Sequence, residues 1–151
     1  MHGLTKEIRT LPHVRIAADW WTEQLRKGVP KDNGDPFTSS VANFLCPPIS
    51  LSEIQLAGFR DQLILSIVDH LQSLSDTWKQ DAPRFGSYLR GFGCDYHPDL
   101  VLRQAADLAE VPERAFPWKT HMWIDPDGVR VKRGYGAPIE TVWLADGTEG
   151  V

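Results

Sequence analysis

Residues 115–144 read AFPWKTHMWIDPDGVRVKRGYGAPIETVWL, two runs of strand-forming residues joined across Asp125-Pro126-Asp127-Gly128. Proline holds φ near −65°, so Pro126 cannot enter a primed two-residue turn, which needs positive φ. The residues therefore predict a type I turn followed by Gly128 in the left-handed region, a three-residue connection. That connection pairs Asp125 with Val129, Trp123 with Val131 and His121 with Arg133, and it carries Lys119 towards Tyr135. One face then bears Lys119, His121, Trp123, Val129, Val131 and Arg133. The other bears Trp118, Thr120, Met122 and Ile124, which makes the first strand apolar on both sides near its middle and marks it as central or doubly covered. A slip of one residue would exchange the faces, so the turn decides which side chains meet. Val142, Trp143 and Leu144 supply a third strand, reached through Gly134-Tyr135-Gly136-Ala137-Pro138.

Upstream, the periodicity changes from two to that of a helix. Val14, Ala17, Ala18, Trp21 and Leu25 recur three or four apart and predict a helix from Pro12 to Lys27, stopped by Gly28, Val29 and Pro30. Trp20 falls off that stripe. Lys31 to Ser40 (KDNGDPFTSS) concentrates turn formers and is expected to be a mobile connection, with Cys46-Pro47-Pro48 a second interruption. Ser50 and Glu53 have capping-box spacing and open a long helix, to about Gln80, whose broad apolar face includes Leu56, Phe59, Leu63, Ile67, Val68, Leu71 and Trp78. Phe85 to Tyr96 reads as a short strand or packed loop. His97-Pro98-Asp99 opens a third helix that ends before Pro112.

These elements predict an α+β fold: a small antiparallel sheet of three or four strands, mostly C-terminal, packed against one long and two shorter helices. With 151 residues the chain suits one globular domain, residues 1–151, large enough for a core without staples. The net charge of −4 argues against a surface devoted to nucleic acid phosphates and suits a protein partner with a basic surface. No apolar stretch approaches the ~20 residues of a membrane span. Two cysteines in unlike contexts, with no continuous apolar run at the N-terminus, point to the cytoplasm.

Lys119, His121, Arg133 and Tyr135 would gather at the open end of the hairpin as a cationic, hydrogen-bonding cluster able to hold a carboxylate or phosphate. The plainer account makes them solvent-facing strand residues, with Lys and Arg discouraging edge pairing. Cys94 lies three residues before His97, but that spacing alone makes neither a nucleophile pair nor a metal site; a buried thiol and a helix-capping histidine explain it better. No catalytic residue, metal or cofactor is assigned. Gly134-Tyr135-Gly136 matches no phosphate-binding loop. Of the six tryptophans, Trp20 and Trp123 are the candidates for exposure as partner anchors. The functional expectation is a protein-binding module, such as a small inhibitor or accessory factor, with Lys119, His121, Trp123, Arg133, Tyr135 and Trp20 in contact with partner or ligand. The alternative is an enzyme or sensor for a small anionic ligand that uses the Lys/His/Arg/Tyr cluster.

Overall fold

The computed structural model describes residues 11–28, 30–47, 49–74, 91–134 and 136–145. In chain order the elements are α1 (Pro12–Lys27), α2 (Pro36–Leu45), α3 (Glu53–Ser73), β1 (Gly91–Cys94), α4 (Leu100–Ala109), a short 3-10 turn (Glu113–Ala115), β2 (Thr120–Asp125), β3 (Gly128–Arg133) and β4 (Ile139–Leu144). The four strands form one antiparallel sheet in the order β1-β2-β3-β4. The α+β expectation holds, with four α-helices among the described residues in place of the three expected.

The hairpin register differs from the expected one. Asp125 pairs with Gly128, Ile124 with Val129, Met122 with Val131, His121 with Lys132 and Thr120 with Arg133, so only Pro126 and Asp127 lie in the turn. Neither has positive φ, and neither does Gly128. The cause is hydrophobic. In this register Met122, Ile124, Val129 and Val131 share one face and all four are buried, joined by Phe92 and Cys94 of β1. Burying each such side chain stabilises by roughly 1.5–3 kcal/mol, so a slip that turned Val129 and Val131 outward would cost about 3–6 kcal/mol against a typical total of about 5–15. The turn yields to that sum. Two side chains hold the tip: His13 Nε2–H of α1 donates to the Pro126 carbonyl at 3.0 Å, and Arg130 bridges Asp125 and Asp127 at 3.2 and 3.0 Å. Gly128 is needed for closeness instead of left-handed φ, since a Cβ there would lie 2.4 Å from the Trp143 carbonyl oxygen of β4.

The helices cover the apolar face. Trp21, Leu25, Phe59, Leu63, Ile67, Leu71, Leu102 and Phe116 are fully or almost fully buried in the same core. α3 begins two residues later than expected: Ser52 is the N-cap, its hydroxyl accepting from Gln55 N–H while Gln55 returns a bond to Ser52 N–H. Sequence 50–55 (SLSEIQ) holds two overlapping capping signals. The one at Ser52 puts Leu51 and Leu56 in the hydrophobic-staple positions, Leu56 buried in the core and Leu51 packed against it. The expected extension beyond Leu74, with Trp78, and the first part of 85–96 lie outside the described residues.

Asp99, not His97, caps α4, accepting from Leu102 N–H. It also closes the free edge of β1. Its carboxylate accepts from Gly93 N–H at 2.7 Å and its own N–H donates to Gly93 O at 2.9 Å. The supposed mobile connection is ordered. Asp35 caps α2 and Pro36 is its first residue, while Asn43 of α2 accepts from Lys31 N–H and donates to Lys31 O. Lys31 in turn reaches into the body, its ammonium donating to the carbonyls of Arg114 and Phe116 over the Trp118 ring. Turn formers here make side-chain bonds to backbone, which gives a defined path instead of a loose one.

Two outcomes follow. Burial holds the His13 imidazole below its ordinary pKa, against the opposing pull of its bond to Pro126 and of Asp127. The neutral form is therefore the folded form: its stability is complete above about pH 6.5 and declines as pH falls towards the lower folded-state value. Thermal melts should lose stability as pH falls below about 6.5, and His13→Asn should flatten that decline; an unchanged pH profile would refute the assignment. At Gly93 a Cβ would lie 2.4 Å from the Thr120 carbonyl oxygen and 2.7 Å from His121 Cα, both backbone atoms. Gly93→Ala should cost about 1–3 kcal/mol in chemical denaturation, and a neutral result would mean that β1 can shift freely.

Candidate functional site

The outward face of the sheet carries the chemistry. Alternation places His121 and Trp123 of β2 beside Lys132 and Arg130 of β3, directly across the ladder. On the other side they meet Gly93 and Gly91 of β1. These glycines leave room that no other residue would: a Cβ at Gly91 would stand 3.0 Å from Trp123 Nε1, and one at Gly93 would stand 3.0 Å from the His121 ring. The two rings therefore lie beside a strand with no side chains on that face.

A groove of ≈ 590 Å³ opens there, lined by Trp123, His121, Phe92, His70, Asp95 and Asp99 among others. It runs from the C-terminal end of α3 across β1 to the sheet. Burial pushes the Asp99 carboxyl up, opposed by its bonds from Gly93 and Leu102 N–H. Burial lowers His121, while Asp95 and Asp99 pull it back up and Lys119 and Lys132 lower it further. A second recess of ≈ 400 Å³ joins His121 to Lys119, Lys132 and Asp95.

The expected cationic cluster does not assemble as a unit. Lys119 and His121 are neighbours, but Arg133 pairs with Thr120, on the face of Val131, and its guanidinium is bound to Glu140 at 2.8 and 3.1 Å. The two-residue turn is the reason. Lys119 has its ammonium 2.7 Å from Asp95 and 4.8 Å over the Tyr96 ring. Its backbone is left-handed at φ 54°, held by Lys119 N–H to Asp95 O and Gly134 N–H to Lys119 O. Tyr135 lies outside the described residues. Trp20 is half-buried, packed on the core with its ring 5.1 Å from that of Trp21, edge to face. Of the six candidates the structure brings together Lys119, His121 and Trp123. Sequence reasoning missed Lys132, Asp99, His70 and the paired glycines; the alternation in Gly91-Phe92-Gly93-Cys94 was the available signal, since it leaves one strand face bare.

Cys94 and His97 do not form a reacting pair. Cys94 is buried on the core face, and burial pushes its thiol up to about 12. His97 is exposed and bonded to Glu113 at 2.9 Å. Among the described residues, no three His, Cys, Asp or Glu side chains are grouped to hold a metal ion. No helix there is long and apolar enough to cross a membrane.

Residues 38–143 match the model of the BTG family. A relative from Dictyostelium discoideum, described as a BTG family protein, is 27% identical over 130 residues, covering 82% of this chain and 25% of the relative. The chain thus spans a quarter of that protein's length. Among solved structures, a doubly substituted BTG/Tob domain of C. elegans FOG-3 is similar in fold, with a TM-score of 0.50 at 20% identity over 83% of each chain. With its family match extending over most of its length, from the start of α2 through β4, the chain belongs to the BTG family, whose domains are protein-interaction modules.

Proposed function

We propose that this protein docks on its partner through the outward face of the sheet, with Trp123 and His121 as anchors, and acts there as an accessory factor or inhibitor of a protein with a basic surface. The observation that carries the reading is the pair of rings beside the bare strand β1 and its groove. Tryptophan lining a concave, part-apolar surface is a usual component of a binding hot spot, because its large area is desolvated at small entropic cost. The rigid ladder holds the rings in place before binding, which reduces what association must order. Asp99 borders the groove and the chain carries a net charge of −4, both of which favour a cationic partner, while Lys119 neutralises Asp95 and Arg130 is held by Asp125 and Asp127. The exposed free Cys46 and buried free Cys94 suit a reducing, cytoplasmic setting. The alternative, a small-anion site of Lys119, His121, Arg133 and Tyr135, loses its support once Arg133 is committed to Glu140 on the other face.

The test begins with a stoichiometric partner recovered from native lysate by the intact chain. Trp123→Ala should weaken that partner's Kd by about thirtyfold or more while leaving the melting temperature nearly unchanged. Raising the salt from about 0.05 to about 0.5 M should slow association. Full affinity in the Trp123→Ala protein would remove the proposed face, and salt-independent association would remove the basic partner.

A further inference from the structure

Helix α2 is amphipathic the wrong way round. Phe37, Val41, Phe44 and Leu45 recur at helical spacing on one stripe, and they are 77%, 39%, 84% and 69% exposed. No residue of this helix is buried. Its polar side faces the protein. Asn43 binds both the N–H and the carbonyl of Lys31 at 2.8 and 2.9 Å, and Ser39 bonds Asn33 N–H and Oδ1 at 3.1 Å each. Asp35 caps its start and accepts from Thr38. Lys31, the residue these bonds hold, is itself fixed by its ammonium to the Arg114 and Phe116 carbonyls. The orientation is thus set by directional hydrogen bonds, and the apolar stripe is presented outward by construction. A helix free to choose would bury the phenylalanines, since each aromatic side chain carries about 150–250 Å² of surface.

We infer that α2 is a second docking element, a helix that enters an apolar groove on a partner protein, separate from the sheet face. The spacing of Phe37, Val41 and Phe44 is that of anchors in helix-in-groove recognition. Charge disfavours a membrane: sequence 36–45 (PFTSSVANFL) contains no charged residue and the chain is net acidic, whereas interfacial helices carry basic flanks for anionic lipid. Area disfavours a symmetric pair of copies. The four side chains together offer roughly 400 Å², about half of the ~800 Å² per partner that a stable interface buries, so two such stripes laid face to face fall short. A groove that wraps the helix reaches the required area by also covering its flanks. Nor does this chain offer a matching groove among its described residues. The recess between α3 and α4 is bordered by Asp69 and Asp107, the groove beside β1 by Asp99, and the recess under Trp118 by Asp32, Arg133 and Glu140, so an aromatic stripe laid in any of them would desolvate charged groups.

The test uses the full chain with a photo-crosslinking phenylalanine analogue at position 44, irradiated in the source cells, with position 69 as the control. The expected result is an adduct with a different protein that is competed away by a synthetic peptide of residues 35–46. The same peptide carrying Phe37→Ser and Phe44→Ser should compete about a hundredfold less well. The adduct should persist in the Trp123→Ala chain, which separates this helix from the sheet surface. The Phe37→Ser/Phe44→Ser protein should melt as the parent does, because neither side chain belongs to the core. Adducts only between copies of this chain, flotation of the purified protein with neutral phosphatidylcholine vesicles, or no adduct above the position-69 control would each overturn the inference.

Discussion

Met122, Ile124, Val129 and Val131 can be buried together only if an even number of residues, here two, separates β2 from β3. That constraint fixes the hairpin register, and the register fixes everything on the opposite side of the sheet. Once the apolar four face the helices, His121 and Trp123 must face away, with Lys132 and Arg130 across from them and the bare glycines of β1 beside them. The outward chemistry is the complement of the core. Arg133 is carried to the helix-facing side by the same parity, where Glu140 neutralises it.

The sequence makes much of this legible, and its failures have physical causes. Helix α1, the apolar face of α3 and the start of α4 follow from spacing and capping residues, because a long amphipathic run has only one way to hide its stripe. The sequence pattern places the hairpin on the right residues with the wrong parity. Local turn chemistry favours one offset, and the burial of Val129 and Val131, worth several kcal/mol, imposes the other; a rule built on four residues cannot weigh side chains packed against distant helices. Gly128 illustrates the ambiguity. Glycine signals either positive φ or a close neighbour, and only the approach of β4 distinguishes them. Trp123 and His121 survive as surface candidates since they share a parity under either offset, whereas Arg133 does not.

The expectation of a mobile connection over 31–40 fails for a related reason. The Asp, Asn, Gly and Ser residues there resemble a disordered connection when counted, yet the side chains of Asp32, Asn33, Asp35 and Ser39 each accept from a nearby backbone N–H, and Asp35-Pro36 is a helix start as well as a turn. Polar groups here take the organising part that apolar burial takes elsewhere in the molecule. The result is a helix whose hydrophobic side is left for something else to cover, and whose position is nevertheless defined through Asn43, Lys31 and the carbonyls of Arg114 and Phe116.

Asp99 has a consequence for colloidal behaviour. By occupying both hydrogen-bonding groups of Gly93, it removes from the border of the sheet a donor and an acceptor that a stray extended peptide would need to zip onto it. A molecule that displays aromatic rings to the solvent needs such a guard at close range. The same guard is a carboxylate with an elevated pKa, so protonating it would weaken the seal beside Trp123.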